Sequence, residues 1–253
     1  MNAREILIHF ALKYNGEWDK IYNAIQSKEE ISEVEQNELV AKLGNQKTIT
    51  ILDENYPEKL KQSYRPPFVL FYKGDLSLLN SEETKVATLS SKNPTDYTIK
   101  SIDKITSELT SEIVINGLAK GGDRKVLENV LNRGLKAICV LGCGIDYVYP
   151  KENQDLYEKV EQNGLLISEY PSLVEPHVSN FYNRNRIIAS ICDKVLGFQV
   201  NTHSGSLVLI EQVLNNGKDI YIVPQPIFEE NISNNMLIRE GACLVEKIDD
   251  LYE

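Results

Sequence analysis

Along the first 46 residues, apolar positions recur at helical spacing. Ile6, Leu7, Phe10 and Leu12 make one face, Trp18, Ile21, Tyr22 and Ile25 a second, and Val34, Leu39, Val40 and Leu43 a third. This pattern predicts a small all-helical unit over 1–46, closed by Gly44-Asn45. So short a segment buries little by itself and is expected to lean on the remainder. From residue 47 the pattern changes to short apolar runs separated by amphipathic stretches. Strands are predicted at Ile49–Leu52, Phe68–Lys73, Val86–Ser90, Ile113–Asn116, Ala137–Leu141, Leu165–Ser168, Val195–Gln199 and Ile220–Val223. Helices are predicted at Tyr97–Leu109, Arg124–Arg133, Asn153–Asn163, Arg186–Ile191 and Leu207–Asn216, with a helical turn after Tyr56-Pro57. Strands without polar alternation, separated by helices, specify an α/β fold: a mostly parallel, Rossmann-like sheet with helices on both faces.

In such a sheet the strand-to-helix loops fall along one edge, and ligands bind there. Five predicted loops carry chemistry. Ser91, Lys92 and Thr95 follow one strand, and Gly117, Lys120 and Gly121 the next. The third loop runs from Gly142 to Lys151 and Asn153. Glu169-Tyr170 leads to Phe181, Arg184, Asn185 and Arg186, and the fifth loop holds His203 with Ser204, Gly205 and Ser206. Glycines permit close backbone approach, and helix N-termini offer free N–H groups to anions. Lys92, Lys120, Lys151, Arg184 and Arg186 add positive charge, so the edge reads as a rim for several phosphates. A structural ion-pair network is the competing reading of the two arginines, and plain turn formation that of the glycines.

Composition narrows the partners. Net charge is −10, with five basic and eight acidic residues in 1–46 and twenty-two and twenty-nine in the rest. Neither part is a general polyanion binder, so any nucleic-acid site must be a local basic pocket. Cys139 and Cys143 have no second close pair to complete a zinc site, and the four cysteines read as structural thiols with no metal. No signal peptide or spanning run is visible, and a cytoplasmic location is expected. Gly142-x-Gly144 lacks the third glycine of a dinucleotide fingerprint, and no nucleophile elbow or Walker lysine is present, so no cofactor is expected. Glu169 with Asp146, and Glu211 alone, are the carboxylates an enzyme would use.

At these loops the chain resembles the DprA/Smf family of DNA-processing proteins. The resemblance runs from about residue 48 to 246. It comprises Tyr56-Pro57, Pro66-Pro67 to Gly74, Gly117-Leu118-Ala119-Lys120-Gly121 with Asp123, and Leu141 to Asp146 with Tyr149-Pro150 and Asn153. Ser168-Glu169-Tyr170, Phe181 with Arg184-Asn185-Arg186-Ile187-Ile188-Ala189, Ser204-Gly205-Ser206-Leu207 and Gly241-Ala242 complete it. The resemblance implies an extended Rossmann-like domain over 47–253 preceded by the helical unit. It also implies sequence-independent binding of single-stranded DNA, protection of incoming strands in natural transformation, a RecA-type recombinase as partner, a homodimer and no catalytic turnover. Phe181 or Tyr182 would stack on a base. The winged-helix tail of some members is not expected.

Four motifs depart from the family pattern. Its Gly-Ser-Arg turn reads Ser90-Ser91-Lys92, and the His four residues after the Asp of its Gly-Ile-Asp turn is Leu127. A Thr is replaced at Leu209, and Pro-Gly reads Pro224-Gln225. Two other functions stay open at this level. One is an enzyme like the nucleoside-monophosphate phosphoribohydrolases, with Ser204-Gly205-Ser206 as the phosphate turn and Glu211 as base. The other is a degenerate relative that senses nucleotides or binds protein.

Overall fold

The computed structural model describes residues 1–253. Three helices open it: α1 (Ala3–Lys13), α2 (Trp18–Gln26) and α3 (Glu33–Leu43). Asn2 and Ser32 start α1 and α3 with capping boxes, each side chain accepting from the third helical N–H while that residue's glutamate reaches back. The rest of the chain runs β1 (Lys47–Thr50), α4 (Glu58–Lys61), β2 (Val69–Gly74), β3 (Lys85–Leu89), α5 (Asp96–Glu108), β4 (Ile113–Asn116), α6 (Gly122–Asn132) and β5 (Ala137–Val140). It continues through α7 (Gln154–Asn163), β6 (Leu165–Ser168), α8 (Val178–Ile191), β7 (Lys194–Gly197), α9 (Gly205–Asn215), β8 (Ile220–Ile222), α10 (Asn234–Arg239) and β9 (Cys243–Leu244).

All nine strands form one sheet, ordered β1-β2-β6-β5-β4-β3-β7-β8-β9. Pairing is parallel from β6 through β9 and antiparallel only where β1 and β2 extend the β6 edge. Successive residues of each central strand face opposite layers, as the period of two requires. Ala87, Ile115, Ile138 and Ile167 pack under α8 and α9 with Ile187, Ile191, Leu209 and Val213. Val86, Val114 and Leu196 pack under α5 and α6 with Ile102, Ile105 and Val130. Cys139 and Leu166 pack with Leu156 and Val160 of α7, and Phe10 of α1 joins that same cluster beside Phe71. The helical segment is therefore seated on the sheet: Trp18 Nε1 donates to Pro66 O at 2.9 Å, and Arg4 pairs with Asp53.

The largest difference from the sequence expectation is α8. The pattern placed its start at Arg186, but the helix begins at Val178, with His177 accepting from Ser179 N–H as cap. Asn180, Asn183 and Asn185 are poor helix formers, and apolar anchors are sparse before Ile187. Tertiary packing supplies what propensity lacks. Phe181 lies so close over Gly142 that a Cβ there would stand 2.5 Å from the ring. Phe181 and Arg184 thus sit on a helix, not in a loop. The pattern also passed over α10 and the two-residue edge strand β9.

Candidate functional site

The strand order of the sheet reverses between β3 and β7, which run parallel. β3 leads through α5 to β4 on one side, and β7 through α9 to β8 on the other, while the two strands pair directly. A crevice opens at such a point beyond the carboxyl ends of the strands. Here polar side chains knit its walls together. Gln199 Oε1 accepts from Thr95 N–H at 3.0 Å and Thr98 Oγ1 at 2.8 Å, and its Nε2 donates to Asn201 Oδ1 at 2.9 Å. Asn201 Nδ2 in turn donates to Ser91 Oγ at 3.1 Å. Ser91 is buried and Thr95 caps α5, so these two expected phosphate contacts have protein partners instead.

The basic residues divide sharply. Arg186 is not a free cation: its Nη1 and Nη2 donate to the two oxygens of Glu169 at 2.6 and 2.5 Å, and its Nε donates to Arg65 O at 3.0 Å. Both side chains are nearly buried, at 11% and 5% exposure, so the ion-pair reading is the one realised at this arginine. Arg184 is largely buried as well. Its Nη1 donates to Val140 O at 2.7 Å, its Nε is buried without a partner, and its guanidinium fills the space above Gly117, where a Cβ would stand 2.0 Å away. Asn153 is fully buried and donates to Leu118 O and Ala119 O, and Asn185 donates to Gly205 O at 3.2 Å. Both expected phosphate contacts are therefore spent on backbone carbonyls of the neighbouring loop and of the first turn of α9, which need donors.

Lys92, Lys120 and Lys151 remain. All three are exposed, and none has a carboxylate within ion-pairing distance. They sit in the loops after β3, β4 and β5, strands that are consecutive neighbours about 5 Å apart. The loops are in contact. Gly121, at φ +75°, packs against Lys92 O so closely that a Cβ would stand 2.3 Å from it, and Gly122 N–H donates to Ser91 O at 2.9 Å. Asn153 ties the third loop to the second. Beside this row the rings of Tyr149 and Phe181 lie 5.8 Å apart, with Tyr149 44% exposed. In the sequence Tyr149 reads only as part of a Tyr-Pro turn; the fold sets its exposed ring beside Phe181. Tyr182 is also exposed, on the far side of α8, near Gly205.

Ser204 Oγ donates to Asn201 O, leaving the first turn of α9 with Gly205 exposed and Ser206 half-buried. Glu211, six residues after Gly205, is exposed and forms no ion pair. Asp146 pairs with Lys73 at 2.7 Å while Glu169 pairs with Arg186, so the two carboxylates serve different partners. Cys139, Cys143 and Cys192 are buried thiols pushed up by burial, Cys143 to about 11. Cys243 is exposed on β9.

A family model described as DNA recombination-mediator protein A matches residues 47–253. The chain belongs to that family, DprA/Smf. It is 38% identical to the DNA processing protein DprA of Streptococcus pneumoniae over 207 residues, covering 81% of this chain and 72% of that protein. It is 32% identical to DprA of Bacillus subtilis over 209 residues, covering 81% and 70%. Among solved structures, S. pneumoniae DprA superposes with a TM-score of 0.82 at 31% identity, over 98% of this chain and 92% of that one. The DNA processing protein A of Helicobacter pylori, described for its single-stranded DNA binding mode, gives 0.73 at 28% identity, over 82% and 94%. The DprA/Smf fold is thus present, and with the S. pneumoniae structure the likeness extends into the helical segment.

Proposed function

We propose that this member of the DprA/Smf family binds single-stranded DNA without sequence preference and acts with a recombinase rather than by turnover. One observation carries the reading: three unpaired lysines on adjoining loops flank the half-open Tyr149–Phe181 pair. A positive track with aromatic faces suits a flexible strand whose bases stack and whose phosphates follow the cations. A mononucleotide would need one phosphate held tightly, whereas this rim spreads its charge over three loops. The family's description as a recombination mediator and the strand-binding relative from H. pylori support the same reading. The contacts proposed are Lys92, Lys120 and Lys151 to phosphates, with Tyr149 and Phe181 to bases. Residues 1–46 and 47–253 are taken as two units on one sheet.

The test is a salt series with a fluorescent oligothymidylate. Three phosphate contacts give a slope of log affinity against log salt of about −2, at about −0.7 each. Lys120→Ala lowers the steepness by about 0.7. Stronger binding of duplex than of single strand, or an unchanged slope in all three lysine variants, would sink the proposal.

A further inference from the structure

The loop after β4 presents Lys120 in a conformation that its own residues do not favour. Leu118 lies at φ +54° and is fully buried. A residue with a Cβ is strained in that left-handed region and stays there only where its surroundings over-determine it. Here they do. The Leu118 side chain belongs to the apolar cluster of Leu127 and Leu156. Its N–H donates to Asn116 Oδ1 at 2.9 Å, and its carbonyl accepts from Asn153 Nδ2 at 2.9 Å.

Asn153 comes from the next loop, where it closes the single helical turn Lys151–Asn153 and its N–H donates to Pro150 O at 3.0 Å. Its Nδ2 also donates to Ala119 O at 3.1 Å, the carbonyl directly before Lys120, and its Oδ1 accepts from Arg124 Nη1 at 3.0 Å. The carboxamide is fully buried and has a partner for each donor hydrogen and for its oxygen. An aspartate of the same shape would set an oxygen against two carbonyls.

Arg124, in the first turn of α6, holds the other end. Its Nη1 donates to Glu152 O at 2.8 Å, Nη1 and Nη2 each reach an Asp155 oxygen at 3.0 Å, and Nε pairs with Glu128 at 2.9 Å. This guanidinium is spent on the protein and is no phosphate contact. A ring is thereby closed, from Ala119 through Asn153 to Arg124 and back along the chain to the loop. Lys120 directly follows Ala119, and Lys151 opens the turn that Asn153 ends.

We propose that Asn153 and Arg124 are positioning residues for strand binding. Asn153 fixes the spacing of Lys120 and Lys151 by joining their loops, and Arg124 fixes the orientation of the Asn153 carboxamide. The two lysines then meet the strand's phosphates as a preset pair, without the ordering cost that two mobile loops would bring. The proposal rests on the strand-binding reading above.

The experiment measures oligothymidylate affinity and urea stability for wild type, Arg124→Lys and Asn153→Asp, each with and without Lys120→Ala, Lys151→Ala and both together. Arg124→Lys keeps the charge and loses the fork, so weaker binding there has no origin in net charge. Expected is roughly fivefold weaker binding in Arg124→Lys and a larger loss in Asn153→Asp, which leaves buried carbonyls without donors. In wild type the two lysine substitutions should be non-additive by about threefold or more, and additive once Arg124 is replaced. A merely structural clamp would not move that coupling. Should Asn153→Asp fail to fold, Arg124→Lys, at a side chain 28% exposed, carries the test alone. Wild-type affinity and undiminished coupling in Arg124→Lys overturn the positioning role and leave strand binding standing, as do additive lysines in wild type. If wild type binds no strand at all, the strand-binding reading itself fails and the positioning proposal fails with it.

Discussion

A Cβ on Gly122 would stand 1.9 Å from Ser90 Oγ and 2.3 Å from Ser90 Cβ. The family pattern has glycine at the position of Ser90, in its Gly-Ser-Arg turn, and isoleucine at that of Gly122, in its Gly-Ile-Asp turn. This chain has the reverse distribution of volume, Ser90 against Gly122, so the loss of the turn glycine is compensated across the loop contact. Gly122→Ala should cost about 1–3 kcal/mol in the native background, because the core there is already filled. In a Ser90→Gly background the cost should shrink, with a coupling of roughly 1 kcal/mol or more in a urea-denaturation cycle. Additive effects would show that the two positions do not share the space. Asp123 gives a second residue-scale expectation. Its folded-state value of about 6 lies above the ordinary 3.8, so between those values the native state holds more protons than the unfolded one. Its contribution is then most favourable below pH 4 and is lost as pH rises through 6, by up to about 3 kcal/mol. Relative to Asp123→Asn, wild type should lose stability as pH is raised from 4 to 7; a constant difference would contradict the buried charge.

At the scale of elements, α8 divides into two halves with different work. Its last turn is held by Lys218, whose Nζ donates to the carbonyls of Ala189, Ser190 and Cys192 at 2.6, 2.9 and 2.6 Å. A cation there satisfies carbonyls that have no helical partner and complements the helix dipole. Lys218→Met should therefore destabilise the fold by roughly 1.5–3 kcal/mol, measured by denaturation, with strand affinity unchanged under native conditions. Its first turns carry Phe181 to the lysine row instead. Phe181→Ala should weaken oligothymidylate binding by about 1–3 kcal/mol while leaving the salt slope as it was, since it removes a stacking face and no charge. A slope change would assign Phe181 to the phosphate path. The sequence pattern showed the second half of this helix through Ile187, Ile188 and Ile191. It hid the first half, whose asparagines read as loop and whose single anchor, Phe181, finds its contact on Gly142 thirty-nine residues earlier.

Across the whole molecule, the helical segment and the sheet share one apolar layer, in which Phe10 and Leu7 meet Phe71, Leu118 and Leu156. Heat or urea should then unfold residues 1–46 together with the sheet in a single transition, and Phe10→Ala should lower that midpoint by an amount corresponding to roughly 3–5 kcal/mol. Two separable transitions would argue against the shared layer.

The alternation of strands and helices, the mostly parallel sheet and the set of loops that share its carboxyl edge are all legible in the chain before it folds. These follow from local periodicity and from the fixed handedness of crossovers, both of which are written in nearest neighbours along the chain. Which polar groups on that edge are free is set by the packing of the folded layers. Arg186 and Lys92 look alike as residues near glycine-rich turns, but one meets Glu169 and the other meets no carboxylate. Ser91 is likewise taken up by the Asn201 amide, and Asn153 and Asn185 by backbone carbonyls brought from distant loops. Whether a side chain is available to a ligand depends on partners far away in sequence, and those partners are fixed only when the layers pack.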